Sequence, residues 1–126
     1  DIQLDLEKVP LVCIPVLMVE RAVNAILDNA FQAVSSQGII SVSCQYLDPN
    51  IIICISDLGC GISKEDLPHI FSPYFTGNKK EGKGLGLAFA RSVILNCNGD
   101  IKITSSRNEG TTVRIILPIK NDPSLQ

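Results

Sequence analysis

The sequence predicts an α/β (α+β) two-layer sandwich, and three observations predict it. Two stretches, 15–35 and 85–96, repeat apolar residues with a helical period. Several shorter stretches alternate apolar with polar residues or run apolar for five positions, and short turns join successive strand candidates. At 126 residues with 45% hydrophobic content, the chain fits one domain large enough to bury a core.

Ile2, Leu4 and Leu6 alternate with Gln3, Asp5 and Glu7, the pattern of a half-buried strand ended by Val9-Pro10. Leu11 to Ile14 is a candidate short strand, and Pro15 suits a first helical turn because its missing N–H has no acceptor there. From Pro15 to about Ser35, Val19, Val23, Ile26, Leu27, Ala30 and Val34 fall on one arc, with Arg21, Asn24, Asp28 and Gln32 on the other. Asn29 lies at the edge of the apolar arc among Ala22, Ala25 and Ala33. An amide flanked by small side chains leaves room for a ligand, and its oxygen suits magnesium; the plainer alternative is a boundary residue.

Ser41 to Leu47 alternates, Asp48-Pro49-Asn50 is a turn, and Ile51 to Ile55 is an apolar run, which together read as a hairpin with a central second strand. Cys44 and Cys54 are expected on inward positions, as small hydrophobes. The second strand opens into Ser56-Asp57-Leu58-Gly59-Cys60-Gly61. A carboxylate at the lip of a core needs donors. The exocyclic amine of adenine is one, with Gly59 and Gly61 letting the base near the backbone; turn capping by Asp57 is the other reading. Ser63 reads as an N-cap before a short acidic helix, and Phe71 and Phe75 frame a segment that anchors a loop.

The segment 71–91 is the centre of the chain. Gly77, Gly82, Gly84 and Gly86 loosen a stretch carrying Lys79, Lys80 and Lys83, which feeds the helix beginning at Leu85. Glycine lets backbone N–H groups turn toward a ligand and a helix N-terminus adds partial positive charge, so the segment reads as a triphosphate cradle. A solvated surface loop is the alternative. The spacing from Gly77 to Lys83 matches a P-loop, but Gly84 stands where Ser or Thr should hold magnesium, which rules that motif out. The helix should end near Asn98-Gly99, followed by a strand from Ile101, a turn at Arg107–Gly110, and a strand in which Val113, Ile115 and Leu117 alternate. The tail NDPSLQ (121–126) is polar.

A net charge of −2 without a long basic run gives no support for nucleic-acid binding. Five cysteines without C-x-x-C spacing, and His69 as the single histidine, support neither a disulfide framework nor a zinc site, and reduced cytosolic thiols are expected. No apolar run approaches a membrane span, and the strand-like start suggests a domain taken from a longer protein.

The stretches LDNAFQA, DLGCG, FSPYF and GKGLGL, with GTTVRIILP near the end, resemble in order and spacing the N, G1, F and G2 boxes of sensor histidine kinase ATP-binding domains, relatives of gyrase B, MutL and heat-shock chaperones. The N box looks closest to the nitrogen-regulation-like subtype. The resemblance implies a mixed, largely antiparallel sheet with helices on one face and a flexible ATP lid, over residues 1–120. It implies that Asn29 ligates magnesium, that Asp57 binds the adenine amine, and that Gly59 and Gly61 shape the base pocket. Phe71 and Phe75 would anchor the lid, and Gly82, Gly84, Gly86 and the amides near Leu85 and Leu87 would hold phosphates, with Lys83 screening their charge. Thr111 or Thr112 would lie near adenine.

The implied activity is transfer of the γ-phosphate of Mg-ATP to a histidine on separate dimerisation helices, and thence to a response-regulator receiver. The implied setting is a cytoplasmic domain, monomeric in isolation, with or without a membrane-bound parent. Two departures stand out. Ala25 occupies the position where relatives carry a second asparagine or a glutamate base, so no catalytic side chain is assigned and fast hydrolysis is not expected. The H-E phosphoacceptor motif is absent, and His69 reads as a surface or packing residue. The rival readings are an anti-sigma-factor-type serine kinase and a non-catalytic module ordered by ATP.

Overall fold

The structure, a computed structural model, describes residues 2–6, 16–34, 38–72 and 86–118. Its elements are β1 (Ile2–Leu6), α1 (Val16–Ala33), β2 (Ile40–Leu47), β3 (Asn50–Asp57), a 3-10 turn (Leu67–His69), α2 (Gly86–Asn96), β4 (Asp100–Ser106) and β5 (Gly110–Pro118). The five strands form one sheet in the order β1-β2-β3-β5-β4, with β1 parallel to β2 and every other pair antiparallel. The expected mixed, largely antiparallel sheet is therefore present, with β3 at its centre.

Both helices lie on one face. α1 packs on β3 and β5, α2 on β4 and β5, and the helices pack against each other. The arc expected for α1 is the one buried: Val19, Ala22, Ile26 and Ala30 are covered, while Arg21, Asn24, Asp28 and Gln32 are exposed. Ile26, Ile40, Ile55, Ile94 and Ile115 are the largest fully buried side chains. Each contributes about 1.5–3 kcal/mol of burial free energy, which makes this helix-to-sheet seam the core of the domain. α2 ends as its sequence predicts. Asn98 takes φ 61°, its N–H donates to Leu95 O, and Gly99 N–H donates to Ile94 O, the paired bonds of a Schellman cap.

Two expectations need correction. β1 forms with the expected alternation, but it is not half-buried: Ile2, Leu4 and Leu6 are 52%, 65% and 63% exposed. As an edge strand it lies beyond the faces covered by α1 and α2, so alternation sets which side its apolar residues take without supplying a layer to cover them. Cys54 is also misassigned. Cys44 pairs with Ile53 on the helix face, whereas Cys54 pairs with Ser43 and Arg114 on the opposite face. The run Ile51–Ile55 carries no polar alternation, so its parity cannot be read until the register is known.

Candidate functional site

The end of β3 brings Asp57 to the rim of the core. It is 5% exposed, and its Oδ1 accepts the Gly59 N–H at 2.9 Å. One carboxylate oxygen thus caps the turn, as the simpler reading expected, while the group as a whole sits at the buried end of the central strand. Asp57 is the register partner of Thr111 on β5, and Thr111 in turn is the partner of Ser105 on β4. Asp57, Thr111 and Ser105 therefore form a row across three strands on the helix face. Thr111 is 6% exposed, whereas Thr112 lies on the opposite face, hydrogen-bonded to Ser56 Oγ at 2.8 Å. Of the two threonines left open above, Thr111 is the one beside Asp57.

The loop leaving Asp57 is fixed on two sides. Cys60 N–H donates to Ala33 O at the end of α1 (3.1 Å), and Asn108 N–H of the β4–β5 turn donates to Cys60 O (2.7 Å). A side chain at Gly59 would place Cβ 2.3 Å from Ala33 O, and one at Gly61, where φ is +71°, would place it 1.9 Å from Ser106 O. The Cβ these two glycines lack would strike the protein's own backbone, and their smallness lets the loop fold tightly between α1 and the β4–β5 hairpin. Ile62 N–H then donates to Ser105 Oγ at 2.7 Å. Ser63 Oγ accepts the Asp66 N–H at 3.2 Å, the expected cap, but the turn it opens becomes 3-10 at Leu67.

α1 carries the other side of the site. Ala25, Asn29 and Ala33 are spaced four apart and so form one ridge. The alanine Cβ of position 25 would lie 3.7 Å from a Cβ on Gly86, the first residue of α2, and Ala33 meets Gly59. Asn29, half-buried, sits midway between these contacts, about 6 Å along the axis from each. The first amides of α2, those of Gly86 and Leu87 included, have no intrahelical acceptor by geometry, while the Leu87 side chain packs on the core. Phe71 also packs on the core, with the Arg91 guanidinium of α2 5.5 Å from its ring centroid, which ties the segment after the 3-10 turn to that helix. His69 is exposed. Phe75, Gly82, Lys83, Gly84 and Leu85 lie outside the described residues.

The donor set suits a nucleotide. A buried acid and a threonine stand at one end, an amide oxygen in the middle, and unpaired helix amides at the other, in the order base, metal and phosphate would need. Among the described residues no three of His, Cys, Asp or Glu gather as a metal cluster, so an ion at Asn29 would take its remaining ligands from water and phosphate, as magnesium does. Ser105 and Gly110 belong to the site and escaped the sequence reading. Counting back from the turn ending at Gly110 would have set Ser105 opposite Thr111, and the parity of Val113, Ile115 and Leu117 extends inward to Thr111.

Residues 16–121 match the family of histidine kinase-, DNA gyrase B- and HSP90-like ATPases. The chain is 38% identical over 98 residues to the sensor histidine kinase ZraS of Escherichia coli K12, covering 75% of this chain and 21% of that protein. It is 41% identical over 103 residues to the histidine-protein kinase AtoS of the same strain, covering 81% of this chain and 17% of AtoS. The chain thus spans about a fifth of the length of these relatives. Among solved structures, the mycobacterial sensor histidine kinase MprB superposes with a TM-score of 0.81 at 28% identity, over 96% of this chain and 84% of that one. The catalytic domain of histidine kinase ThkA gives 0.83 at 25% identity, over 94% and 78%. Sheet order, one-sided helices and these likenesses agree: the chain belongs to the histidine kinase-, DNA gyrase B- and HSP90-like ATPase family.

Proposed function

We propose that this domain, taken as residues 1–120 with 121–126 as a tail, binds Mg-ATP and presents its γ-phosphate to a histidine on separate dimerisation helices. A response-regulator receiver would take the phosphoryl group next. The observation that carries this reading is the Asp57–Thr111 pair at one end of an α1 ridge whose middle is Asn29 and whose far end meets the start of α2. Asp57 would accept from the adenine amine, Asn29 would hold magnesium, and the amides of Gly86 and Leu87 would face phosphate. Gly82, Gly84, Leu85 and Lys83 would complete the phosphate side, and Phe71 and Phe75 would anchor the lid. Magnesium, when bound, supplies charge neutralisation at the phosphates. The chain's own contribution is positioning and exclusion of water, since phosphoryl transfer of this kind needs little covalent help from the protein.

Ala25 fits a transferase better than a hydrolase. With alanine there, no side chain at that position can activate water. Among the described residues no helix is long and apolar enough to cross a membrane, and the reading assigns the domain to the cytoplasm, as a monomer in isolation and within the nitrogen-regulation-like group of kinases. Calorimetry with a non-hydrolysable adenosine triphosphate analogue and magnesium tests the site: Asp57→Asn should weaken binding at least tenfold, and Asn29→Asp should alter its magnesium dependence. Mixing the domain with a dimerisation-helix fragment and labelled ATP should yield acid-labile phosphohistidine. Unchanged affinity in both variants, or no labelled histidine across a range of conditions, would remove the proposal.

A further inference from the structure

The row Asp57–Thr111–Ser105 carries more than packing, because the protons on it can be counted. Ser105 Oγ has three partners: the Ile62 N–H at 2.7 Å, the Gly110 carbonyl at 2.8 Å and Thr111 Oγ1 at 2.9 Å. A serine hydroxyl has one proton to give and two lone pairs to receive. The Gly110 carbonyl can only accept, so the Ser105 proton goes there, and the Ile62 N–H can only donate, so it occupies one lone pair. The contact with Thr111 is then possible only if Thr111 is the donor. Ser105 is saturated by this arrangement, and Thr111 has spent its single proton on it.

We propose that Ser105 is a positioning residue for base recognition: by taking the Thr111 proton it turns that hydroxyl into an obligate acceptor, so the Asp57 end of the site selects a 6-amino over a 6-oxo purine nucleotide. The proposal rests on the nucleotide reading above and deepens it. An ionised Asp57 accepts only, and Thr111 held this way also accepts only. A 6-amino ring brings two N–H donors to these two acceptors; a 6-oxo ring brings a carbonyl in their place and at most its single N1–H, so at least one acceptor faces the carbonyl in a nearly buried place, where an unmatched polar group is costly. Ser105 also joins the loop to the hairpin through Ile62, so the same hydroxyl that sets the direction of the Thr111 proton holds the segment that follows Gly61.

The test is the ratio of affinities for adenosine and inosine triphosphates, measured by calorimetry on the domain with magnesium. The wild type should prefer the adenosine form by at least about tenfold, and Ser105→Ala should reduce that preference roughly tenfold, because Thr111 regains a proton it can turn toward a carbonyl. Ser105→Thr, which keeps the hydroxyl on a β-branched residue suited to a strand, should keep the ratio within about twofold. In a Thr111→Val background, Ser105→Ala should leave the ratio unchanged, the non-additivity expected of coupled groups. A residue that is merely structural would weaken both nucleotides equally, so a constant ratio in Ser105→Ala overturns the proposal. Should that variant not fold, Thr111→Val against Thr111→Ser decides: the ratio falls in the first and holds in the second, and an equal ratio in both overturns the proposal. A wild type that binds no adenosine nucleotide would sink the nucleotide reading itself, a distinct failure from binding with an unaltered ratio.

Discussion

Replacing Gly61 by alanine should be among the most damaging single-methyl changes in the described part of the domain. Two costs combine. At φ +71° an L-residue pays about 1 kcal/mol or more for the left-handed region. The new Cβ would also stand 1.9 Å from Ser106 O and 3.2 Å from Arg107 Cα. Both are backbone atoms, with no side chain to swing aside, and relief of such overpacking costs roughly 1–3 kcal/mol. The loop can retreat only by stretching the Asn108-to-Cys60 and Ile62-to-Ser105 bonds, each worth about 1 kcal/mol. A total near 3 kcal/mol corresponds to a Tm loss on the order of 12 °C for a domain of this size. Thermal unfolding followed by circular dichroism reads it directly, and nucleotide titration of the folded fraction should show weakened binding as the loop moves. A Tm loss under about 4 °C would mean that the β4–β5 hairpin yields freely, and the account of this loop as clamped between two fixed neighbours would be wrong.

Gly86→Ala should act in the opposite sense on stability. Among the described residues its Cβ would meet only Ala25, at ordinary contact distance, and alanine in the first helical turn gains up to about 0.5 kcal/mol over glycine. A Tm rise of about 2 °C together with weaker binding of the triphosphate analogue, read against the diphosphate, would mark Gly86 as a phosphate-side residue; a rise with no loss of binding would assign it to packing alone. Tyr46 gives a pH test away from the site. Its hydroxyl donates to Asp48 Oδ1 at 3.0 Å, and that hydrogen bond, with minor help from burial and the Asp48 charge, raises its pKa above the ordinary 10.0. A raised phenol pKa contributes stability that is whole below the unfolded value and is lost as pH climbs through the folded one, so the effect belongs to the alkaline limb. The phenolate absorbance of the wild type should appear at higher pH than in Asp48→Ala, and coincident titration curves would show that the bond does not persist in solution.

Elements are legible in this sequence wherever a pattern is long or a backbone conformation is demanding. α1 repeats its apolar residues over eighteen positions, and Asn98-Gly99 can end α2 because asparagine and glycine tolerate the left-handed region. What periodicity does not report is the presence of a covering layer, which is why β1 was readable as a strand but not as an exposed one, and why the unbroken run Ile51–Ile55 concealed the outward side of Cys54. The site divides in the same way. Asp57 stands out locally, a carboxylate where an apolar strand meets glycines. Its neighbours Thr111 and Ser105 are some fifty residues away in the chain, and only the register of β3, β5 and β4 brings them alongside. Both glycines of DLGCG are legible as places that need a small residue, but the atoms that demand it, from Ala33 and Ser106, come from elsewhere in the chain and appear only in the fold.

That crowding gives α1 a part beyond offering Asn29. The ridge Ala25–Asn29–Ala33 receives the start of α2 at one end and the loop of Gly59 at the other, so eight helical residues, about 12 Å of rise, set the separation between the two halves of the site. A helix is stiff on this scale, and its small residues let both neighbours approach the backbone itself. The distance from the Asp57 end to the amides heading α2 is then set by α1. A larger residue at Ala25 should therefore displace the start of α2 and weaken the phosphate side of the proposed site, whereas one at Ala33 should displace the Gly59 loop and weaken its base side.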